Sequence, residues 1–307
     1  MMCPRCHGTR RDLYTGDLCW VCWGLEPSCC DGPVGEPDED PTDPMKQTGS
    51  KRMNDSNEHN SDNGSLIKSA LNNKFLAWPG AWFLIDGQFG STGKGVIAAL
   101  LGDMFGNRAD VVTTNAGPNS GHTSYIDGEK VVLKQIPTFA AAAYASYFPG
   151  EEPIVYLNGG AVIDPNVLRN EYQNHIPGMS LVVNPFAARI GQIERDQDKK
   201  TVESIASTGQ GVGPAIVNKT MRNYHAVMEA EGYDLNWYLN AMKIYQSRRI
   251  FCEIAQGYSL GLNAGFYPYT TSRNCTVTQA MADADIPPTM FQGSILTVRT
   301  YPIRVGN

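Results

Sequence analysis

The chain has 307 residues with 25 Lys and Arg against 31 Asp and Glu, and its apolar content is ordinary, enough to bury one large core or two small ones. Nine acidic and three basic residues lie between positions 31 and 65, which accounts for the whole formal charge of −6; the rest is balanced, with no broad basic surface for nucleic acid. No window holds the roughly 18 consecutive apolar residues that a membrane span needs, and the N-terminus has cysteines and charges where a signal peptide has an apolar core, so a soluble, cytoplasmic protein is expected.

Six of the eight cysteines fall in the first 30 residues. Cys3-x2-Cys6 and Cys19-x2-Cys22 form two thiolate knuckles around a stretch able to turn as a short hairpin, and four thiolates so spaced suit tetrahedral Zn2+. So small a segment cannot build an adequate apolar core, and metal binding would supply most of its folding free energy. Residues 1–30 are therefore predicted to be a zinc-ribbon-like module. Cys29 and Cys30 stand outside the repeat, as spare thiols or as a replacement ligand. Two uses stay open: a metal-stapled knob without chemistry, or a docking element for nucleic acid or a replication partner through Arg5, Arg10, Arg11, Trp20 and Trp23. Three arginines balanced by three acids make only a thin electrostatic footprint. Residues 31–76, which open on a stretch rich in Asp, Pro, Ser, Asn and Gly, are predicted to be a disordered acidic linker. His59 within it has no second ligand at useful spacing.

Residues 77–307 alternate strand and helix patterns. Strands are predicted at 82–86, 110–114, 153–157, 180–184, 249–254 and 294–300, with helices between several of them, which makes the class α/β with a mostly parallel sheet. Asp127-Gly128 is a hairpin turn signal, so an antiparallel ribbon should leave the main sheet. Asp164-Pro165 sets an N-cap and a first-turn proline before a helix.

The segment Asp86-Gly-Gln-Phe-Gly-Ser-Thr-Gly-Lys-Gly-Val96 turns from an apolar strand into a helix through glycines. Such a turn aims backbone N–H groups and a helix N-terminus at one spot, where an anion is stabilised and Lys94 adds full charge. It is P-loop-like but not a Walker loop: Gln88 fills the first glycine position and Gly95 replaces the Mg2+-binding hydroxyl. The metal must be held another way.

Further motifs follow in order: Asn119-Ser-Gly-His-Thr123, Gly128-Glu-Lys-Val-Val-Leu-Lys-Gln-Ile-Pro137, Ser207-Thr-Gly-Gln-Gly-Val-Gly-Pro-Ala215, Ala255-Gln-Gly257 and Gly265-Phe-Tyr-Pro-Tyr-Thr-Thr-Ser272. In content and order the set resembles the adenylosuccinate synthetase family, from about residue 81 onward. Those enzymes join aspartate to C6 of a purine monophosphate, using a nucleoside triphosphate to turn O6 into a phosphate leaving group. The ordinary loop carries an Asp, which takes the N1 proton, where this chain has Ser91. A serine there is similar to the phage branch of the family that acts on dGMP. A short neutral side chain leaves room beside C2 for the exocyclic amine and can accept a hydrogen bond from it. The base is then lost: either another group takes the proton, Asp86 being the nearest carboxylate in sequence, or deprotonation follows phosphorylation.

The resemblance implies roles at matching positions. Gly90, Thr92, Gly93 and Gly95 would cradle phosphate and the base edge with Ser91, and Lys94 would meet the transferred phosphoryl group. His122, beside Asn119 and Thr123, would stabilise charge passing between donor phosphate and O6. Gly121 would offer its carbonyl to Mg2+, whose second contact in the family is the Asp replaced by Ser91. Thr208 would bind the 5′-phosphate beside Gln210, Gln256 the purine, and Thr271 phosphate; Arg222 matches an arginine given across a homodimer interface. The implied substrates are dGMP, L-aspartate and ATP or dATP. Two alternatives stand beside this: an ordinary enzyme using IMP and GTP with a drifted loop, and a nucleotide-binding module without catalysis joined to a zinc reader. The chain stops at Asn307, ahead of the family's segments for aspartate and the donor base, and the pattern around residues 294–303 reads as an internal strand, so a truncated C-terminus is expected.

Overall fold

The computed structural model describes residues 61–71, 74–200, 207–228 and 248–304. The four-cysteine segment and the first part of the expected linker lie outside these residues. Two units divide at Asn72. In the first, the helix α1, Ser61–Leu71, lies within the stretch expected to be a linker. Leu66, Ile67, Ala70 and Leu71 recur at one-turn spacing, and Lys68 sits in the last turn, where a cation suits the helix dipole. Averaged composition hides so short a pattern.

The second unit starts earlier than residue 77. Phe75 and Leu76 are fully buried, and the Phe75 ring meets Phe105 at 5.2 Å, Trp82 at 5.3 Å and Phe251 at 5.9 Å. The elements follow in order: β1 Gly80–Asp86, α2 Lys94–Phe105, β2 Val111–Thr114, β3 His122–Ile126, β4 Glu129–Leu133, α3 Thr138–Ser146, β5 Ile154–Leu157, β6 Val162–Ile163 and α4 Pro165–His175. Then come β7 Leu181–Val183, β8 Ala188–Arg189, α5 Gln192–Lys199, α6 Val212–Thr220, β9 Arg249–Glu253, α7 Val277–Asp283 and β10 Phe291–Thr297.

Six strands form one sheet in the order β10-β1-β9-β2-β5-β7, and every pairing in it is parallel. The predicted strands are all present. The last begins at Phe291, three residues before the predicted start. As expected, β3 and β4 form a separate antiparallel ribbon, turning through Asp127 (φ 52°) and Gly128 (φ 80°), the left-handed pair a two-residue hairpin needs. Asp164 caps α4, accepting from the N–H of Asn166 at 3.1 Å and of Val167 at 3.4 Å, with Pro165 in the first turn.

Strand alternation divides the core in two. Phe83 and Ile85 of β1, with Ile250 and Cys252 of β9, pack toward Ala280 and Met281 of α7. The alternate residues, Trp82 and Phe251, turn to the opposite face, where Phe251 stacks on Phe139 of α3 at 4.4 Å. There α2 lies tight against α3: a Cβ on Gly102 would come within 2.2 Å of the Phe139 carbonyl oxygen. Full burial of each such Phe is worth about 1.5–3 kcal/mol, and the same alternation aims Glu253 at the N-terminus of α3.

Candidate active site

The turn after β1 is built by its strand-end carboxylate. Buried Asp86 accepts through Oδ1 from the N–H groups of Gln88 (2.8 Å) and Gly90 (3.3 Å), and through Oδ2 from the Thr92 hydroxyl. It holds the turn through its backbone and hydroxyl partners. Gly90, Ser91 and Gly93 take left-handed φ values of 85°, 55° and 86°. Gly93 gives α2 no side-chain cap, so the first N–H groups of the helix face the loop, the arrangement an anion requires.

The end of β10 clamps this loop from the other side. The hydroxyls of Thr297 and Thr92 lie 2.7 Å apart. The Gln88 amide makes two bonds to the main chain of Arg299, donating to its carbonyl at 3.0 Å and accepting from its N–H at 3.0 Å. A side-chain amide thus continues the β1–β10 ladder by one step, which accounts for glutamine where a Walker loop has glycine. The Arg299 guanidinium donates to the Ser91 carbonyl, holding an exposed serine in a conformation that costs a non-glycine residue about 1–3 kcal/mol.

His122 opens β3, buried, with Nδ1 on the Glu253 carboxylate. Glu253 also accepts from the Thr138 hydroxyl (2.9 Å) and the Phe139 N–H (3.2 Å). Burial works against its charge, but the His122 imidazole and these donors hold its pKa below the ordinary carboxylate value. An ionised carboxylate only accepts, so Nδ1 carries a proton and Nε2 is left for chemistry. His122 Nε2 is the one buried side-chain polar atom among the described residues without a partner.

Beyond Glu253 the chain turns through Gln256, left-handed at φ 65°, onto the loop. Gly257 is obligatory there, since a Cβ would lie 2.5 Å from both the Gln88 carbonyl oxygen and the Gly90 nitrogen. Lys94 secures this crossing: its ammonium donates to the carbonyls of Ile254 and, at 2.7 Å, of Gln256. Two of its three protons are so used, leaving one for a phosphate oxygen. Burial lowers the Lys94 pKa, and Glu253 and Asp86 partly restore it. Thr271 joins through its N–H on the Leu260 carbonyl at 2.8 Å, and the Phe89 and Phe266 rings meet at 5.0 Å.

A second glycine loop precedes α6. Gly211 (φ 87°) again starts a helix without a side-chain cap, and a Cβ on Gly213 would lie 3.3 Å from the Ser272 hydroxyl, so this helix start lies beside the Thr271 segment. Thr208 is exposed in that loop, with Gln210 half-buried and bonded to the Thr208 carbonyl at 3.4 Å. Asn119 is half-buried and Gly121 and Thr123 exposed, all next to His122. Arg222 lies apart from the others: it follows the far end of nine-residue α6, about 13 Å from the helix start.

The geometry thus gathers Ser91, Lys94, His122, Gln256 and Thr271 at the C-terminal ends of β1 and β9. It adds groups that sequence motifs alone do not single out: Glu253, Thr297 and Arg299. Beneath them, buried Asn115 accepts from the Ala255 N–H at 3.1 Å and donates to Asp283 at 2.8 Å, while Arg273 donates to the carbonyls of Asn115 (2.7 Å) and Gly160 (2.6 Å). No helix among the described residues is long and apolar enough to cross a membrane.

The chain is similar to known proteins. The N6-succino-2-amino-2′-deoxyadenylate synthase of Salmonella phage PMBT28 is 34% identical over 251 residues, covering 74% of this chain and 66% of that protein. The adenylosuccinate synthetase of Methanococcus vannielii is 30% identical over 235 residues, covering 73% and 66%. Among solved structures, the succinoaminodeoxyadenylate synthetase (PurZ) of cyanophage S-2L, bound to dGMP and to dATP as an energy donor, superposes with a TM-score of 0.64 at 31% identity, covering 74% of this chain and 66% of that one. The chain spans about two thirds of the length of the curated relatives it matches. The sequence pattern described as adenylosuccinate synthetase matches residues 83–234 and 224–307. That match covers well over half of the chain, and the chain belongs to the adenylosuccinate synthetase family.

Proposed function

We propose that this chain works as a carbon–nitrogen ligase that joins L-aspartate to C6 of dGMP with ATP or dATP, giving 2-amino-2′-deoxy-N6-succinyl-adenylate on a route to diaminopurine DNA. The observation that carries the reading is Ser91, a neutral hydroxyl on the exposed, left-handed tip of the phosphate loop, at the position of the ordinary family carboxylate. Similarity to phage enzymes named for this product, one of them bound to dGMP and dATP, supports it.

In this reading the γ-phosphoryl group passes to O6 and the donor leaves as the nucleoside diphosphate; with both Asp86 oxygens taken by the turn, N1 gives its proton to water after phosphorylation, and the aspartate amine then displaces phosphate from C6 and loses a proton to solvent. His122, whose Nδ1–H is held by Glu253, carries a second proton on Nε2 in this step and donates that N–H to the oxygens between which charge migrates. Lys94 donates a hydrogen bond from its third N–H to the phosphoryl group and stays an ammonium. Thr208, Gln210 and Thr271 take the monophosphate, Gln256 the purine edge, with Asn119 and Thr123 beside them. Among the described residues no group of three His, Cys, Asp or Glu could hold a metal ion. The groups that the family resemblance assigns to it, the Gly121 carbonyl and the Ser91 hydroxyl, are oxygen donors of the kind Mg2+ takes, completed by phosphate and water. When bound, that ion would neutralise charge on the donor phosphates.

Three further points belong to the proposal. Arg222 serves the site of a second copy in a homodimer; exposed Ile193, Val217 and Met221 on and beside the same helix supply apolar surface for such a contact. Cys3, Cys6, Cys19 and Cys22 hold one structural Zn2+. A ligase drawing on the nucleotide pool works in the cytoplasm, the host's if the gene is a phage's.

The test is product formation. The protein incubated with dGMP, aspartate and dATP should yield the succinylated nucleotide by mass spectrometry, with little turnover of IMP. A kcat/KM with IMP equal to or above that with dGMP overturns the assignment in favour of the ordinary enzyme, and binding of dGMP without product favours the non-catalytic module.

A further inference from the structure

The two glycine loops share one construction. Each ends in a left-handed glycine, Gly93 at φ 86° and Gly211 at φ 87°, that starts a helix without a side-chain cap. The first is held by Asp86. The second is held by a carboxylate from a separate helix: Asp198, buried near the end of α5, accepts from the Ser207 hydroxyl at 2.6 Å and from the Gly211 N–H at 2.7 Å. The Ser207 oxygen in turn accepts from the Gly209 N–H at 3.3 Å. The backbone has little room to shift, since a Cβ on Gly211 would lie 3.1 Å from the Arg195 nitrogen. Asp198 therefore grips the loop on both sides of Thr208 and Gln210.

We infer that Asp198 is the positioning residue of the second loop: it sets Thr208 and the first N–H groups of α6 in place for the phosphate of the nucleoside monophosphate. It does so without touching the substrate. The carboxylate accepts from the Gly211 N–H and the Ser207 hydroxyl, so it holds the loop from behind while the N–H groups at the start of α6 are left for the anion. The inference rests on the proposed use of this loop for dGMP.

Two measurements on the full chain test it. In hydrogen exchange, Asp198→Ala should speed exchange of the Gly211 amide and Ser207→Ala that of the Gly209 amide, with the amides of the first loop unchanged; unchanged Gly211 exchange in Asp198→Ala overturns the inference whatever binds. In titrations, Asp198→Ala should weaken dGMP about tenfold or more and Asp198→Asn less, because Asn keeps an acceptor for Gly211, while dATP affinity stays within about twofold. Equal loss of both nucleotides would mean general damage and also overturns it. Thr208→Ala separates the two levels. If it leaves dGMP binding unchanged, the reading of the loop fails; if it weakens dGMP and the Asp198 variants do not, Asp198 has no positioning role.

Discussion

Gly95 stands where a Cβ would lie 2.7 Å from the carbonyl oxygen of Thr123 and 3.1 Å from the carbonyl carbon of His122. The first turn of α2 is therefore pressed against the start of β3. This close approach puts the histidine beside the phosphate loop, and it leaves no room for the hydroxyl of an ordinary Walker loop.

Gly95→Ser, which restores that hydroxyl, should lose activity rather than gain a metal ligand. Backbone lies in the way, so β3 must move and carry His122 with it. We expect a fall in kcat of at least about tenfold and a destabilisation of about 1–3 kcal/mol, read from steady-state kinetics and thermal unfolding. A variant with wild-type kcat would show that the approach is not limiting.

Ser91→Asp should suppress use of dGMP by placing a charged, longer side chain beside C2. The main chain at this position is already held by Arg299, so the substitution tests the side chain rather than the loop. A rise in kcat/KM for dGMP would refute the role given to Ser91.

His122→Asn should depress kcat and kcat/KM together by about 10²–10⁴-fold while dGMP affinity changes little, as for an interaction made only in the transition state. A histidine serving only the core would give the opposite pattern, a lower Tm with near-normal kcat.

Glu253 supplies a pH signature. Its folded pKa lies below its unfolded value, so the stabilisation it brings is fully present above the unfolded value, near the ordinary carboxylate range, and is lost as pH falls through the lower folded value. Glu253→Gln should flatten the acid limb of the stability–pH curve and lower kcat by releasing the His122 ring. Acid unfolding curves of the two proteins that superpose would contradict this.

The N-terminal cysteines predict about one Zn2+ per chain, measurable by metal analysis, and loss of it on Cys6→Ser with Cys22→Ser. Ligase activity should survive the substitution. Full metal content in the double variant would exclude these thiolates as ligands.

Much of the site is legible in the sequence because its loops are punctuated by glycines and short polar motifs that have few other uses. The strands at 82–86, 110–114 and 249–254 are legible for a related reason, being short apolar runs between turn signals. Glu253 is not, since an acid near the end of a strand run reads as a solvated edge, and its partner His122 is 131 residues away. Asp198 is hidden the same way in the charged stretch of α5. Phe75 and Leu76 follow a polar segment and read as its tail, although they complete the aromatic cluster behind β1. Strand order is the largest omission: nothing local says that β9 enters between β1 and β2.

That insertion has a consequence for how the protein is made. Strands β1 and β2 leave the ribosome with a strand-wide slot between them, which β9 fills only after more than a hundred further residues are synthesised. Until then both flanks of the slot present bare N–H and C=O groups on apolar strands, the kind of edge that recruits other chains. Parallel pairing over such a separation is slow to form. Yield in expression should therefore depend on what shields that gap during synthesis, and a chaperone that binds extended apolar segments would act there first.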